Sequence, residues 1–543
     1  MRLLSRQILP CNTMPMFFNM MRARPPVQAS EPIIDLLFLA AMLVIGFLLA
    51  RHAWNHEARS SANSGRNPSV LDSEFLALHT GIPYLVRDLV QGGILITGQS
   101  GSGKTSGPLR KVIDSAISMN FGLTLLSAKP EDRADYLAMA AKWGRAGDVI
   151  LIDETATHCL NFFDSLQLKS ADPATRARQL AQSLDVFTEV ASRNGTKGGG
   201  GDERFWVQAA GRMTFVLILL LILADQQVTP ANILKLVTTL PRTPKDLISA
   251  QWKARLCSQC LRAAFDAAKA SGDSSNFTIC DDYITLEICT LSPKTRTVIE
   301  AFLTGNLDIL STGIASRILA SESTFDLAAA IGRNAIIIVD FPYTKWLGVG
   351  QFIGAGVKHL VQTEILKREA VADTLPHLIV ADECTNVLTE HDYAFASLCR
   401  SFRGCLIYAT QGVESLRAAY PGSNADDKVS TLVGNLGTIF AASPTPTTAK
   451  WLCDMFGREK KFSTSSSTTI GGQNRGSGAA DNQTSASVSE VFESVLQASE
   501  LMRMRTGGPR NGFIVDALLI KAGAIFPRTG CNFCPVSFRQ EKL

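Results

Sequence analysis

The sequence predicts an α/β fold: a mostly parallel sheet, interrupted by an all-α insertion and preceded by one membrane-spanning helix. Three observations carry this. Short apolar runs without polar alternation recur at Ile94–Thr97, Leu123–Leu126, Val149–Ile152, Ala335–Val339, Leu378–Ala381, Leu406–Ala409 and Phe513–Val515, the pattern of strands covered on both faces. The series breaks between Lys169 and Ala330, where long helical stretches such as Ala177–Ala191, Phe205–Gln226 and Leu247–Ala270 stand instead. Finally, Ile33–Ala50 is a nearly unbroken apolar run that as a helix covers about 27 Å, enough to span a hydrocarbon core.

Composition sets the outer limits. A chain of 543 residues, 46% hydrophobic and 19% charged, holds several domains with sizeable cores and is not a disordered polymer. Its formal net charge of +4 is too mild to demand a nucleic-acid partner, so any basic surface is local. Twelve scattered cysteines fit a reducing compartment better than a disulfide framework.

In chain order, residues 1–30 form an N-terminal segment and residues 31–54 a membrane anchor. Asp35 lies near one end of the apolar run, and Arg51, His52 and Trp54 flank the other as interfacial residues. His52 and His56 have helical spacing, but the Glu that a zinc protease places after the first His is missing. Arginines stand on both sides of the span, so charge does not orient it. Residues 68–168 and 331–543 read as two parts of one nucleotide-binding domain, with the all-α insertion at 169–330 between them. Within the insertion, Met213–Ala224 reaches only about 18 Å as a helix, too short to cross a bilayer, and reads as a core helix. The glycine-rich stretch Arg193–Asp202 reads as a mobile connector, with Arg193 and Lys197 as alternative phosphate contacts. Ser463–Ser489, rich in Ser, Thr, Gly, Asn and Gln, reads as a flexible excursion without fixed structure.

The chemistry concentrates at two places. The run Ile94–Thr97 feeds directly into Gly98-Gln99-Ser100-Gly101-Ser102-Gly103-Lys104-Thr105, the phosphate-loop pattern G-x-x-x-x-G-K-[ST]. Glycines let successive backbone N–H groups converge on one anion, and the helix that follows adds its dipole. Lys104 then holds the β- and γ-phosphates of ATP, and the Thr105 hydroxyl completes an Mg²⁺ shell. Pro108 predicts a kink in the following turn. The second place is Leu378–Ala381 followed by Asp382-Glu383: Asp382 as the Mg²⁺-holding acid, Glu383 as the group that orients or deprotonates the attacking water. One apolar run later, Gln411 ends Leu406–Ala409-Thr410, where such a sheet opens its ligand crevice, and is a candidate γ-phosphate sensor. Arg400 and Arg403, just upstream, are either solvated helix-end cations or arginine fingers acting across a subunit boundary. The pairs Cys257/Cys260 and Cys531/Cys534 have zinc-like spacing but lie too far apart in sequence to argue for a shared site. Because ATP is cytosolic, the chain after Arg51 is expected to face the cytoplasm.

These residues resemble the coupling proteins of type IV secretion and conjugation systems, the TraG/TraD-like branch of the RecA-type membrane ATPases. The likeness runs from about Gly92 onward and adds Phe205-Trp206 in the insertion, the run Ala335–Val339 ending in Asp340-Phe341-Pro342, and the stretch from Asp382-Glu383 through Arg403-Gly404 to Ala409-Thr410-Gln411. The resemblance implies a RecA-like P-loop NTPase domain and a homo-hexamer anchored in the bacterial inner membrane. It also implies partners: relaxase with single-stranded DNA, or protein effectors, and the components of a secretion channel. The chain departs from the family at Ser127-Ala128-Lys129, where Asp-Pro-Lys is common, and at Asn161-Phe162, where Asn-Pro is usual. It also shows one apolar span where family members commonly have two. A DNA-pumping motor of the chromosome-segregation kind and a nucleotide-switched recruitment platform remain as alternative readings.

Overall fold

The computed structural model describes residues 69–166, 172–194, 202–420, 424–470 and 482–540. These belong to one compact unit, Ser69–Leu543. The expected anchor at Ile33–Ala50, both histidines after it and Lys197 lie outside the described residues.

Among the described residues thirteen strands form the sheets: β1 Glu74–Leu76, β2 Tyr84–Leu85, β3 Gly93–Thr97, β4 Gly122–Leu126, β5 Val149–Ile152, β6 Ile336–Val339, β7 His377–Ala381, β8 Gly404–Thr410, β9 Thr438–Ala441, β10 Arg458–Ile470, β11 Asn482–Ser494, β12 Ile514–Lys521 and β13 Phe533–Arg539. Nine of them make one sheet in the order β13-β12-β9-β3-β8-β7-β4-β6-β5. From β9 to β5 every neighbour is parallel; β12 joins β9 antiparallel and β13 pairs with β12. Six of the seven apolar runs coincide with parallel strands, and the seventh, Phe513–Val515, touches only the start of β12. β9 and β13 have no counterpart in that series: β9 opens on the polar Thr438, and β13 alternates buried and exposed positions along most of its length.

Parallel strands need crossovers, and these cover both faces. On one face, Ile94 and Ile96 of β3 and Ile407 of β8 pack against Val112, Ile113 and Tyr136 from the helices Arg110–Ser118 and Asp132–Lys142. On the other, Leu95, Ile379 and Tyr408 meet Phe352, Leu360 and Phe395 from the helices Tyr343–Lys367 and Glu390–Leu398. Between β5 and β6 every described element is helical. The apolar run Met213–Ala224 lies, but for its last residue, in the helix Asp202–Leu223, with Val216–Leu221 fully buried among the neighbouring helices, as a core helix should be.

The structure corrects the reading of Ser463–Ser489 as structureless at its two flanks, 463–470 and 482–489; residues 471–481 lie outside the described residues. β10 and β11 pair antiparallel in continuous register from Arg458↔Ser494 to Ile470↔Asn482. Thr, Val and Phe favour extended backbone, and cross-strand pairs lock the register: Lys460 with Glu490 at 2.7 Å, Lys461 with Glu493 at 3.2 Å, and the Ser465 and Ser487 hydroxyls at 2.7 Å. The hydrophobic signal was missing because both faces meet solvent. Phe462, Val488 and Phe492 are 69%, 66% and 63% exposed.

Candidate active site

The phosphate loop leaves β3 at the sheet's centre, between β9 and β8. The Gly98 N–H donates to the Thr410 carbonyl at the end of β8, and the Gln99 N–H to the Ser443 carbonyl beyond β9. Two glycines are required by geometry. A Cβ on Gly98 would sit 2.3 Å from the Ala442 carbonyl oxygen, and Gly103, at φ +83°, would press a Cβ to 2.5 Å from Val515. Ser102 is fully buried, and Gly101, at φ +76°, has open space where a Cβ would stand. The kink expected at Pro108 takes the form of a π turn at Thr105–Leu109. Proline has no N–H to give, and the Leu109 N–H reaches back five residues to the Lys104 carbonyl at 3.1 Å.

The acidic pair stands at the tip of β7, separated from β3 by β8 alone, a step of about 10 Å across the sheet. Side chains close that gap. The Lys104 ammonium donates to Glu383 Oε1 at 2.8 Å, and the Thr105 hydroxyl to Asp382 Oδ2 at 2.6 Å. Lys104 is 9% and Glu383 25% exposed, so the pair is sheltered yet reachable from the crevice. Glu383 holds a left-handed backbone, φ 49° and ψ 53°, a conformation that costs a non-glycine residue about 1–2 kcal/mol. Its own N–H donates to Asp382 Oδ1 at 3.0 Å.

The other candidates divide. Gln411 follows Thr410 at the same end of the sheet and is exposed there. Arg403 precedes Gly404 at the opposite end of β8, where its carbonyl accepts the His377 N–H. A strand of that length puts it about 20 Å from the phosphate loop, so Arg403 is not part of this chain's own crevice; Arg400 shares its turn. Asn161 is a helix cap, accepting from the N–H groups of Phe163 and Asp164, and Lys129 gives its backbone N–H to Asp132. Cys257 and Cys260 are buried in the insertion, whereas Cys534 sits on the edge strand β13 with Cys531 just before it.

Sequence reasoning missed a charged cluster formed by the start of the helix Asp132–Lys142 and the tips of β5 and β6. Arg133 bridges Asp153 beyond β5 at 3.1 Å and Asp340 beyond β6 at 3.3 Å. Asp132 accepts the N–H groups of Ala128 and Lys129 at 2.8 and 2.9 Å. Burial, helped by the nearby Asp382 carboxylate and opposed by those N–H groups, pushes its carboxyl up to about 6. The signal available for Asp132 was an acid at a helix start a few residues after a strand.

The donor set fits Mg²⁺. A hydroxyl and a carboxylate oxygen already in contact, beside a cation-bearing phosphate loop, are the hard oxygen ligands that ion takes when it bridges to phosphate. Taken with the sheet order, this is the architecture of a RecA-like P-loop nucleoside triphosphatase.

Comparison with known proteins agrees. Residues 376–506 match the family described as the TraM recognition site of TraD and TraG. Solved structures of the bacterial conjugative coupling protein TrwB have the same fold. TrwBΔN70 in its unbound monoclinic form aligns with a TM-score of 0.54 at 12% identity, covering 88% of this chain and 90% of that one. Its trigonal form with sulphate gives 0.55 at 13%, covering 87% and 90%. TrwB with ADP and Mg²⁺ gives 0.53 at 12%, again covering 87% and 90%. No curated protein sequence matches the chain. The family model thus covers the segment from just before β7 to just before β12, and the solved structures share the fold.

Proposed function

We propose that the protein is an ATPase that uses hydrolysis to hand DNA–relaxase complexes, protein effectors or both to a type IV secretion or conjugation channel. It works as a homo-hexamer held in the bacterial inner membrane by the apolar span Ile33–Ala50, with the motor in the cytoplasm. The observation that carries this is the contact of Lys104 with Glu383 beside that of Thr105 with Asp382. It joins the two halves of a phosphoryl-transfer site across 279 and 277 residues of chain. The DNA-related part of the reading leans on the family description and on the relatives that bear the name of conjugative coupling proteins.

In this reading residues 68–168 and 331–543 are the motor and residues 169–330 the all-α domain that meets cargo. Gly98–Thr105 cradle the phosphates of ATP through their N–H groups. Lys104 exchanges Glu383 for phosphate oxygens, and Glu383, released, accepts a proton from the attacking water. Thr105 and Asp382 hold Mg²⁺, which when bound neutralises charge on the β- and γ-phosphates. Gln411 senses the γ-phosphate from the end of β8. Arg403, remote from its own site, acts only on a neighbouring subunit's.

The test is turnover of the full chain in detergent, with and without single-stranded DNA. Hydrolysis that requires Mg²⁺ and disappears in Lys104→Ala is expected. Hydrolysis that survives Lys104→Ala overturns the site, and a rate indifferent to DNA and to relaxase–DNA complexes removes the coupling to DNA.

A further inference from the structure

Directly behind the acidic tip lies a second charged cluster that the reaction as described does not use. Lys358, in the helix Tyr343–Lys367, and Asp392, in the helix Glu390–Leu398, form an ion pair with both side chains 0% exposed. Asp392 also accepts from Tyr408 of β8 at 2.5 Å, from Gln362 at 2.7 Å, and from the N–H and hydroxyl of Thr389 at 2.6 and 3.2 Å. Burial pushes the Asp392 carboxyl up, but the Lys358 ammonium and the bonds from Tyr408 and Gln362 outweigh it and hold the group below the usual carboxylate range.

Burying a charge pair rarely stabilises a fold more than apolar residues of the same volume would. What this one does is visible in its second contact. The Lys358 ammonium donates to the Val387 carbonyl at 2.5 Å. Val387 closes the short turn that begins at Glu383: its N–H donates to the Cys384 carbonyl, and the Asn386 N–H donates to the Glu383 carbonyl, each at 3.0 Å. The segment from Glu383 to Thr389 is therefore pinned at Val387 by Lys358 and at Thr389 by Asp392. The other end of that segment, four residues before Val387, is Glu383 with its left-handed backbone, a conformation that persists only where its surroundings enforce it. Tyr408 ties the same cluster to β8, whose far end supplies Gln411.

The cluster also touches the helical insertion. Phe187 of the helix Pro173–Asn194 stacks on Phe352 at 5.6 Å, and Glu189 Oε2 accepts the Glu390 N–H at 2.7 Å, two residues before Asp392.

We propose that Lys358 and Asp392 are positioning residues that fix the backbone of Glu383 and so aim its carboxylate at the attacking water. This rests on Glu383 being the water-activating group.

The test is a double-mutant cycle on the full chain in detergent, reading ATP turnover, affinity for a non-hydrolysable ATP analogue, and melting temperature. The pair is replaced together by Lys358→Met with Asp392→Asn, which leaves no lone buried charge and keeps an acceptor for Tyr408. The expected result is a fall in kcat of about tenfold or more with analogue affinity within about threefold, because Lys104 and Thr105 are on another element. In a Glu383→Gln background the same replacement is expected to cost almost nothing further, since its effect passes through that carboxylate. An unchanged kcat, or a full additional loss in the Glu383→Gln background, overturns the proposal. Should the double replacement fail to fold, Tyr408→Phe enters the same cycle with an expected loss of about threefold. Wild-type turnover that Glu383→Gln leaves intact would instead sink the reading of the active site itself.

Discussion

Two lysine–carboxylate pairs stand on either side of the loop that follows β7, and they are built to opposite ends. Lys104 and Glu383 meet through one hydrogen bond at the edge of a crevice. Lys358 and Asp392 are sealed from solvent, and five other protein groups share their hydrogen bonds. The first pair gives each partner something to do in the absence of ligand, and its shelter is shallow enough for phosphate to displace Glu383. The second has no such exit. A site that must rearrange at every turnover needs a charge pair of modest net worth, and the frame around it needs one that does not open.

That contrast can be broken from several directions. Lys104→Ala is expected to have the largest effect, a loss of turnover of about a thousandfold, because it removes the cation aimed at the transferred phosphate; a steady-state rate within tenfold of wild type would show that the open pair is only structural. Lys358→Met alone leaves Asp392 charged and buried, which should lower the unfolding free energy by about 3–5 kcal/mol, measured by denaturant titration, whereas Lys104→Ala should change it by less than about 1 kcal/mol.

A titration sharpens the comparison from the acid side. Asp132 is raised toward 6 in the fold, above the ordinary carboxylate value of about 4, so the folded state takes up its proton first. Stability from this group is therefore fully present below about pH 4, falls as the pH rises toward 6 and stays low above it. Asp132→Asn should remove that slope and stabilise the protein at pH 7.5 by about 3 kcal/mol, a gain that shrinks to nothing near pH 4 in thermal melts. Asp392, held low by Lys358, runs the other way: its stabilisation is present above about pH 4 and is lost as the pH falls further.

Thr105→Ala is expected to raise the Mg²⁺ concentration for half-maximal hydrolysis by about tenfold, since in the proposed reading it removes one of the two side-chain oxygens that would hold the ion. The smallest effect should come from the ribbon. Phe462→Ser with Phe492→Ser changes solvent-exposed side chains on the β10–β11 pair, far in the chain from both lysines, and should leave turnover within about twofold in the same assay.

How much was legible from residues alone follows from the range over which each feature is encoded. The phosphate loop is eight consecutive residues, and Asp382-Glu383 directly follows an apolar run, so both could be read locally. The central strands could be read for the same reason: burial on both faces leaves an unbroken apolar signature in Ile336–Val339 or Leu378–Ala381. The ribbon was misjudged because a two-stranded pair exposed on both faces carries no hydrophobic period, only the weaker preference of Thr, Val and Phe for extended backbone. Arg403, read as a helix-end cation or an arginine finger across a subunit boundary, stands at the end of β8 opposite Gln411, a separation that only the strand between them reveals.

The sequence by itself determined the chemistry on offer: a lysine in a glycine turn, a hydroxyl beside it, and two carboxylates after a strand. It also determined the α/β pattern, because each apolar run needs only its own residues to be recognised. The order of strands that sets β7 one place beyond β8 was decided by tertiary structure, since parallel pairing joins segments hundreds of residues apart. So was the buried frame of Lys358, Asp392 and Tyr408, whose members share no local pattern. Charges separated along the chain acquire a meaning only when packing removes the water between them and leaves each other as their partners.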